Sequence, residues 1–315
     1  MDRREALAIL QKATIDSTVA AGGLLSPSQS QSFIQTIKDK SAFGKSLRLE
    51  RRRSATGEIN KLTSGSRLLR AKPENADDGY RAGVTFPTVD YEARKMWLPW
   101  EVTEDVFHEN IEEQAVEAKI TDEMTQQFAL DWDDLDVNGD EASANAFLQI
   151  NDGLLTLLAA NASGDVNRID GSTINGGALA KDHFFAAHYA MPNQYVNAGG
   201  LKWHASPNRI TSWIEYLTDR ATAAGDAALF LEGRGPLGIP WAPVPAFPDD
   251  RIVLSDPKNF VRVVTWDVRR RKVTGDTDWE LATRDKRGYL FFVKPDFLVL
   301  EDAAVVDVHT LDPVS

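Results

Sequence analysis

A long amphipathic segment lies near the middle of the chain, at residues 110–141, with no proline and no glycine before Gly139. Its apolar positions recur mostly every three or four residues: Ile111, Ala115, Ala118, Ile120, Met124, Phe128, Trp132 and Leu135. This spacing predicts one α-helix at about residues 110–137, roughly 25 residues and 38 Å long, with one apolar stripe. The opposite face is almost uniformly acidic, and Lys119 is its only cation. A helix this much longer than average is typical of a central support for other elements.

Shorter patterns precede this helix. Residues 3–13 predict a short amphipathic helix, and Ser26-Pro27 predicts the start of another that ends near Ser41, because Ser caps a helix and Pro favours its first position. Residues 46–95 alternate weakly between apolar and polar and contain few residues that could build a core. We expect an extended two-stranded excursion that leans on another surface, since an isolated hairpin is marginal in water.

Strands are predicted on both sides of the long helix. Lys95–Val102 is a dense apolar strand, and Pro99 favours an edge position. After the long helix, the pattern predicts helices at 147–160, 182–190 and 206–225, a loop rich in Gly and Pro at 233–248, and strands at 201–204, 260–268, 279–283, 289–300 and 303–308. Strands grouped before and after the helices indicate an α+β fold rather than a repeating parallel sheet.

The amino-acid composition excludes several kinds of binding site and partner. The chain has 315 residues, 43% of them hydrophobic, no cysteine and a formal net charge of −12. Disulfides and thiolate metal sites are therefore excluded. Tight binding of nucleic acid by the whole surface is disfavoured, because it needs clustered cations. No apolar run approaches the ~20 residues of a membrane helix, so no membrane partner is expected.

The end of the long helix resembles half of a calcium-binding loop. Asp134, Asp136 and Asn138 have the spacing of the first ligands and precede Gly139, but Asn145 occupies the position of the bidentate Glu. We therefore interpret this stretch as an acidic, solvated helix end that is closed by a glycine cap.

Other chemical motifs are incomplete. His108-Glu109 begins a zinc-protease-like helix but lacks the second histidine. The glycines at 233, 235 and 238 have dinucleotide-loop spacing, but prolines interrupt them and no helix follows. The acidic residues are spread along one helix face, whereas an acidic hydrolase needs two carboxylates about 5–10 Å apart in a pocket. We predict no catalytic residue, no cofactor, no metal site and no enzymatic activity.

Two cationic clusters, at 51–53 and 269–272, have two interpretations. They are either solvated surface, where an ion pair contributes only ~0–1 kcal/mol, or contacts with an acidic face of another subunit. The sparse core of residues 46–95 favours the second interpretation. The predicted contact residues are Arg51, Arg52, Arg53, Arg269, Arg270 and Arg271 on the basic side, and Glu112, Glu113, Glu117, Asp122 and Glu123 on the acidic side.

Several segments also occur in a characteristic order. They are Gly22-Gly23-Leu24-Leu25-Ser26-Pro27, the extended residues 46–95, Leu98–Asp105, Asn138-Gly139-Asp140 followed by Asp152-Gly153-Leu154-Leu155, Gly238-Ile239-Pro240-Trp241 with Val244-Pro245, and Arg287–Phe297. This succession resembles the HK97-fold major capsid proteins of tailed double-stranded DNA bacteriophages. Asp296 stands where the family's late strand usually has alanine.

The resemblance implies a domain organisation. Residues 1–45 would form an N-terminal arm, and residues 46–95 the extended β-hairpin called the E-loop, which would lie over an adjacent subunit. Residues 96–147 and 266–300 would form the peripheral domain with the long spine helix. Residues 148–265 and 301–315 would form the axial domain at the capsomer centre.

The resemblance also implies a function. The chain would self-assemble into hexamers and pentamers of an icosahedral virion shell, in the host cytoplasm, with portal, scaffold and decoration proteins as partners. Double-stranded DNA would be enclosed without tight specific binding, and an acidic or neutral inner wall would avoid gripping it. The alternative with the same fold is an encapsulin-type nanocompartment shell, which packages an enzyme.

Two features of some relatives are not expected here. Because the arm begins at Met1, we expect no N-terminal scaffolding segment within the chain and a scaffold that is a separate protein. Lys61 and Lys72 lie in the E-loop region, but nothing in the sequence supplies the carboxylate and pocket that would activate a lysine for crosslinking. We therefore expect no covalent crosslinks between subunits.

Overall fold

The computed structural model describes residues 27–61, 63–64, 84–109, 114–161, 166–196, 199–218, 235–265, 269–273 and 285–314. Its α-helices are α1 (Pro27–Lys40), α2 (Glu104–Glu109), α3 (Gln114–Asn138), α4 (Leu154–Ala160), α5 (Lys181–Ala190), α6 (Asn193–Val196) and α7 (Pro207–Thr218). None of the helices in this part of the chain is long and apolar enough to cross a membrane.

The strands form several small sheets. They are β1 (Arg48–Arg52), β2 (Thr56–Asn60), β3 (Thr63–Ser64), β4 (Val84–Thr85), β5 (Thr88–Glu92), β6 (Met96–Thr103), β7 (Asn167–Asp170), β8 (Lys202–Ala205), β9 (Trp241–Pro243), β10 (Ile252–Ser255), β11 (Phe260–Thr265), β12 (Arg269–Val273), β13 (Lys286–Val293), β14 (Pro295–Val299) and β15 (Val305–His309). This mixture of grouped strands and helices confirms the α+β class.

The long helix is present as predicted, over the 25 residues of α3. Residues 110–113 of the predicted helix lie outside the described part. Phe128 and Trp132 of its apolar stripe pack against Phe291 and Val293 of the sheet β12-β13-β6 and against Ile37 of α1. β6 is an edge strand of that sheet, which confirms the expectation from Pro99.

A five-stranded mixed sheet, in the order β7-β15-β10-β8-β9, is covered on both faces. Alternate residues of β10 point to opposite faces: Ile252 and Leu254 belong to one apolar cluster and Val253 to another. Ser206 begins α7 as predicted, because its Oγ accepts a hydrogen bond from the Arg209 amide at 3.1 Å. Strands β7 and β10 were not predicted from the sequence.

The remaining three-stranded sheet, β1-β11-β14, connects the other parts. Every residue of β11 is buried. Phe260 packs in the cluster beside the five-stranded sheet, Val264 packs in the cluster of α3, and Val261 and Val263 contact the hairpin described next. The central position of β11 explains why one six-residue strand contributes to three apolar clusters.

The excursion predicted at 46–95 is partly correct. β2 and β5 form an antiparallel pair, and β3 and β4 continue it; residues 65–83 lie outside the described part. Ile59 and Tyr91 are buried against Val261 and Val263, so the hairpin leans on its own subunit at this end. β1, however, is a strand of the connecting sheet and not of the hairpin.

Two other sequence expectations need correction. The single strand predicted at 289–300 is two strands, β13 and β14, which belong to different sheets and separate at Lys294. The helix predicted at 147–160 is a single 3-10 turn at Leu148–Ile150 followed by α4. The strand predicted at 279–283 lies outside the described residues. Alternation of apolar residues alone does not reveal where a strand changes partners.

The acidic end of α3 is buried, which contradicts the expectation of a solvated helix end. Asp133 and Asp136 are each 3% exposed and flank Arg262 of β11, which is equally buried. Arg262 donates from Nη2 to Asp133 at 2.9 Å and from Nε to Asp136 at 2.6 Å. Its guanidinium carbon also lies 4.5 Å from the centre of the Trp132 ring. These contacts fix the helix to the connecting sheet.

Asp133 also holds the segment that follows α1. Asp133 accepts hydrogen bonds from the Phe43 amide at 3.0 Å, from the Gly44 amide and from the Ser41 hydroxyl. Burial raises the pKa of Asp136 to about 7, although the neighbouring Arg262 acts in the opposite direction. An ionic group this deeply buried depends on all of its partners.

Gly139, at the end of α3, allows two chain segments to pass each other in close contact. A Cβ on Gly139 would lie 2.3 Å from the Asn151 carbonyl oxygen, and a Cβ on Gly153 would lie 2.6 Å from the Gly139 nitrogen. The Gly153 amide donates to the Gly139 carbonyl at 2.9 Å. The glycine pair therefore permits a packed backbone contact, where the sequence had suggested only a helix cap.

Replacing Arg262 tests the buried ionic cluster. We expect Arg262→Met to lower the free energy of unfolding by about 4 kcal/mol, because two carboxylates stay buried without their cation. Urea denaturation of unassembled protein, followed by tryptophan fluorescence, measures the change. The control Arg94→Ala removes an arginine whose side chain is 39% exposed and pairs with Glu141, so its effect stays within about 1 kcal/mol. Equal urea midpoints for Arg262→Met and wild type would contradict the assigned role.

A buried histidine makes the fold sensitive to acid. His204 of β8 lies between Phe43 and Phe260, with ring centroids 6.0 and 5.5 Å away. Burial lowers its pKa from 6.5 to about 4. The unfolded chain therefore binds the proton more readily than the folded chain, and this contribution to stability is lost as the pH falls from 6.5 towards 4.

Comparing the pH dependence of stability between the wild type and His204→Phe isolates the contribution of His204. Between pH 7 and pH 4.5, the wild type should lose about 2–3 kcal/mol more stability than His204→Phe, which cannot take up that proton. Urea unfolding at both pH values measures the difference, because the other titrating groups are common to both proteins. Parallel pH profiles would show that His204 does not control the acid response.

Candidate assembly interface

The described residues contain no group of three or more His, Asp or Glu side chains arranged to hold a metal ion. Of the calcium-like residues, Asp134 accepts a hydrogen bond from Asn138 at 2.7 Å and Asp136 is bonded to Arg262. Their oxygens are therefore engaged in contacts within the subunit. The candidate contact sites of the described residues are therefore charged and aromatic surfaces.

The predicted Arg triplet lies at the end of the edge strand β1: Arg51 and Arg52 are its last two residues, and Arg53 follows it. Arg51 is partly buried, and burial lowers its pKa. Arg52 lies 3.8 Å from Glu50, which also accepts a hydrogen bond from Arg48 Nε at 2.9 Å. Arg53 is exposed. The three side chains thus have different surroundings and do not form one uniform patch.

A wider cationic surface surrounds Arg51. A groove of about 840 Å³ lies between the end of α1, strand β1 and a 3-10 turn at Pro257–Asn259. Among the described residues, five cations line it, and the other four lining residues are uncharged. We call it the basic groove, and its cations are Lys38, Lys45, Arg48, Arg51 and Lys258. Sequence reasoning identified only Arg51, because Lys258 is brought there by the pairing of β1 with β11.

The acidic face of α3 is partly neutralised within the subunit. Glu117 lies 2.8 Å from Lys272 and 3.9 Å from Arg287, and Asp122 pairs with Lys40 of α1. Glu123 is exposed. Glu112 and Glu113 lie outside the described residues. The structure therefore connects two of the predicted acidic contact residues to cations of their own chain.

The second predicted Arg cluster belongs to β12, the edge strand next to β13. Arg269, Arg270 and Arg271 pair through their backbones with Phe292, Phe291 and Leu290. Their side chains lie outside the described part of the structure, so their role as contacts stays a prediction.

An exposed tryptophan stacks on a partly buried phenylalanine at the outer face of the sheet β12-β13-β6. Trp97 is 59% exposed and stacks on Phe292 with ring centroids 6.2 Å apart. Lys95 Nζ lies 4.4 Å from the Phe292 ring centre. The alternation of residues along β6 could have predicted this exposure from the sequence. Met96, Leu98 and Trp100 face α3, so Trp97 faces outward.

No family model matches the chain. A curated relative described as "Putative prophage capsid protein YqbE", from Bacillus subtilis (strain 168), is 25% identical over 278 residues, which cover 81% of this chain and 86% of the relative.

Solved structures match over most of the chain. A chain from "Satellite phage P4 procapsid including size determination (Sid) protein" superposes with a TM-score of 0.71 and 15% identity, covering 99% of this chain and 98% of that one. A chain from "Capsid of empty GTA particle computed with C5 symmetry" has a TM-score of 0.59 and 13% identity, covering 87% and 90%. The chain therefore has the HK97-like fold of bacteriophage capsid proteins, as its sequence predicted.

Proposed function

We propose that this chain is a major capsid protein, which self-assembles into the icosahedral head shell of a tailed bacteriophage or prophage. The observation that carries the proposal is the superposition on a procapsid chain over 99% of this chain and 98% of that one. The prophage capsid relative agrees with this role.

The shell function is structural rather than enzymatic. The relatives and structural neighbours compared above are capsid proteins and not enzymes. In an assembled capsid, the subunit would form hexamers and pentamers that enclose double-stranded DNA. The net charge of −12 supports enclosure without tight binding, because a negative surface repels phosphates. Portal, scaffold and decoration proteins, and assembly in the host cytoplasm, belong to the same proposal.

The sheets support the proposed division into domains. Strands β6, β12 and β13 with α3 would form the peripheral domain, and the five-stranded sheet would lie in the axial domain. The hairpin of β2 to β5 would be the E-loop. Because β14 pairs with β11, we place the passage from the peripheral sheet to the connecting sheet at Lys294.

An encapsulin-type shell is the alternative with the same fold. A chain from "CryoEM structure of the holo-SrpI encapsulin complex from Synechococcus elongatus PCC 7942" has a TM-score of 0.53 and 13% identity, covering 85% of this chain and 86% of that one. Its TM-score is lower than the 0.71 of the procapsid chain. The sequence relative is also described as a capsid protein. Both observations favour the phage head.

Electron microscopy tests the proposed function directly. We expect the purified chain, expressed alone or with a scaffold protein, to form closed shells or rings of five and six subunits in negative stain. Protein that stays monomeric under both conditions, across a range of salt and protein concentrations, would contradict the proposal.

Charge reversal tests the predicted Arg contacts. We expect Arg51→Glu/Arg52→Glu/Arg53→Glu to reduce particle yield at least about tenfold, because like charges facing each other across an interface cost several kcal/mol. Circular dichroism should show an unchanged fold, since these residues lie on an edge strand. Reversal of the exposed Asp182 and Glu215 is the control. A wild-type particle yield from the triple variant would show that the triplet is solvated surface.

A further inference from the structure

The chain contains two Asn-Gly pairs, Asn138-Gly139 and Asn175-Gly176. In such a pair, the backbone nitrogen of the glycine can attack the side-chain Cγ of the asparagine, because glycine has no Cβ to obstruct the approach. The reaction is intramolecular, so its rate depends on how readily these two atoms reach attacking distance. The fold places the two identical dipeptides in opposite surroundings, so each one is a reference for the other.

The first pair is fixed at the end of α3. Asn138 Nδ2 donates to Asp134 and to the Ala246 carbonyl, each at 2.7 Å. The Gly139 amide donates to the Leu135 carbonyl at 2.9 Å, and Gly139 is buried. The attack requires both residues to rotate, and here that rotation would break these hydrogen bonds and open a packed crossing of two segments. We therefore expect Asn138 to react only through local unfolding.

The second pair lies on a surface turn that follows β7. Asn175 and Gly176 are both exposed, and a Cβ on Gly176 would have no neighbouring atom within 4 Å. Asn175 Nδ2 donates to the Ala178 carbonyl at 3.2 Å, a longer bond than those of Asn138. Asn175 has a φ of 51° and Gly176 a φ of 66°, in the left-handed region that asparagine and glycine enter more readily than other residues. Little packing therefore opposes the rotation that brings the two reacting atoms together.

We propose that Asn175 is a modification site, at which the folded protein converts this asparagine spontaneously into isoaspartate and aspartate. A bond forms between the Gly176 nitrogen and Cγ of Asn175, and the bond between Cγ and Nδ2 breaks. Nδ2 leaves as ammonia, with the proton that the Gly176 nitrogen loses. Water then opens the five-membered imide ring at one of its two carbonyls, which gives either aspartate or a backbone that runs through the side chain. The inference goes beyond the proposed shell function and does not depend on it.

An Asp-Gly pair in the same region is less suited to this chemistry. Asp170 could form the same imide with loss of water, but its carboxylate accepts hydrogen bonds from the Ser172 amide at 3.0 Å and the Ser172 hydroxyl at 2.7 Å. These bonds lower the pKa of Asp170, and an ionised carboxylate resists attack by a nucleophile. Gly171 is also buried, and a Cβ there would lie 2.7 Å from Leu311. The uncharged, exposed Asn175 is therefore the reactive position of this turn.

The conversion would act on the segment that follows β15. The Gly177 carbonyl accepts a hydrogen bond from the Asp312 amide at 2.9 Å, and a Cβ on Gly177 would lie 2.7 Å from Asp312 Oδ1. Isoaspartate at position 175 lengthens the backbone before Gly177 by one carbon and adds a carboxylate to the turn. The first change displaces Gly177, and the second repels the Asp312 carboxylate. Both changes weaken the attachment of Asp312 to the turn.

Timed peptide mass spectrometry of the full-length chain, incubated at neutral pH, tests the modification site. In native protein, Asn175 should convert at least about thirtyfold faster than Asn138, because a packed helix end opens rarely. In urea, where both pairs lose their surroundings, the two rates should agree within about threefold. Asn175→Gln is the matched control and should stay unconverted, because its longer side chain would have to close a six-membered ring.

Hydrogen exchange at the Asp312 amide measures the consequence. Exchange should be faster in converted than in unconverted protein. Asn175→Asp adds the charge without lengthening the backbone, so it should give a smaller increase. Equal conversion of Asn138 and Asn175 in native protein would overturn the modification site, as would a native Asn175 that stays intact while the urea-unfolded chain converts. Conversion of Asn175 with unchanged exchange at Asp312 would overturn the effect on the segment after β15.

Discussion

The buried pairing of Arg262 with Asp133 and Asp136 determines how the parts of this subunit are arranged. These three side chains connect the end of α3, the central strand β11 and the segment after α1. Removing ions from water is costly, and only complete ion pairing and hydrogen bonding offsets that cost. The cluster therefore tolerates few alternative positions of the helix relative to the sheet. The ionic cluster contributes more by fixing the geometry of the subunit than by adding to its stability.

The apolar packing follows from the same arrangement. Because Arg262 holds β11 against α3, Phe260, Val261, Val263 and Val264 of that strand are directed into three separate apolar clusters. The hairpin rests on one of these clusters through Ile59 and Tyr91. One strand thus sets the position of the long helix, of the five-stranded sheet and of the base of the hairpin. This explains how a chain with several small sheets has a defined overall architecture.

The charged surfaces of the folded subunit differ in how far they are neutralised by other described residues of the same chain. Part of the acidic charge of α3 is neutralised within the subunit, because Asp122 pairs with Lys40 and Glu117 pairs with Lys272. The cations of the basic groove have no carboxylate beside them among the described residues that line the groove. If the chain assembles in many copies, as we propose, a net charge of −12 on each copy produces repulsion that the subunit contacts must overcome.

The sequence by itself determined the long helix, the start of α7 at Ser206, the edge position of Pro99 and the capsid-like order of segments. These features depend on residues close together in the chain, where periodicity and capping act directly. Only the tertiary structure decided that Asp136 is buried, that 289–300 divides between two sheets, and that Lys258 joins Lys38 at the basic groove. Those features depend on contacts between residues such as Asp133 and Arg262, which are 129 positions apart. Burial and strand pairing at such separations are set by the packing of the whole chain, and no local pattern encodes them.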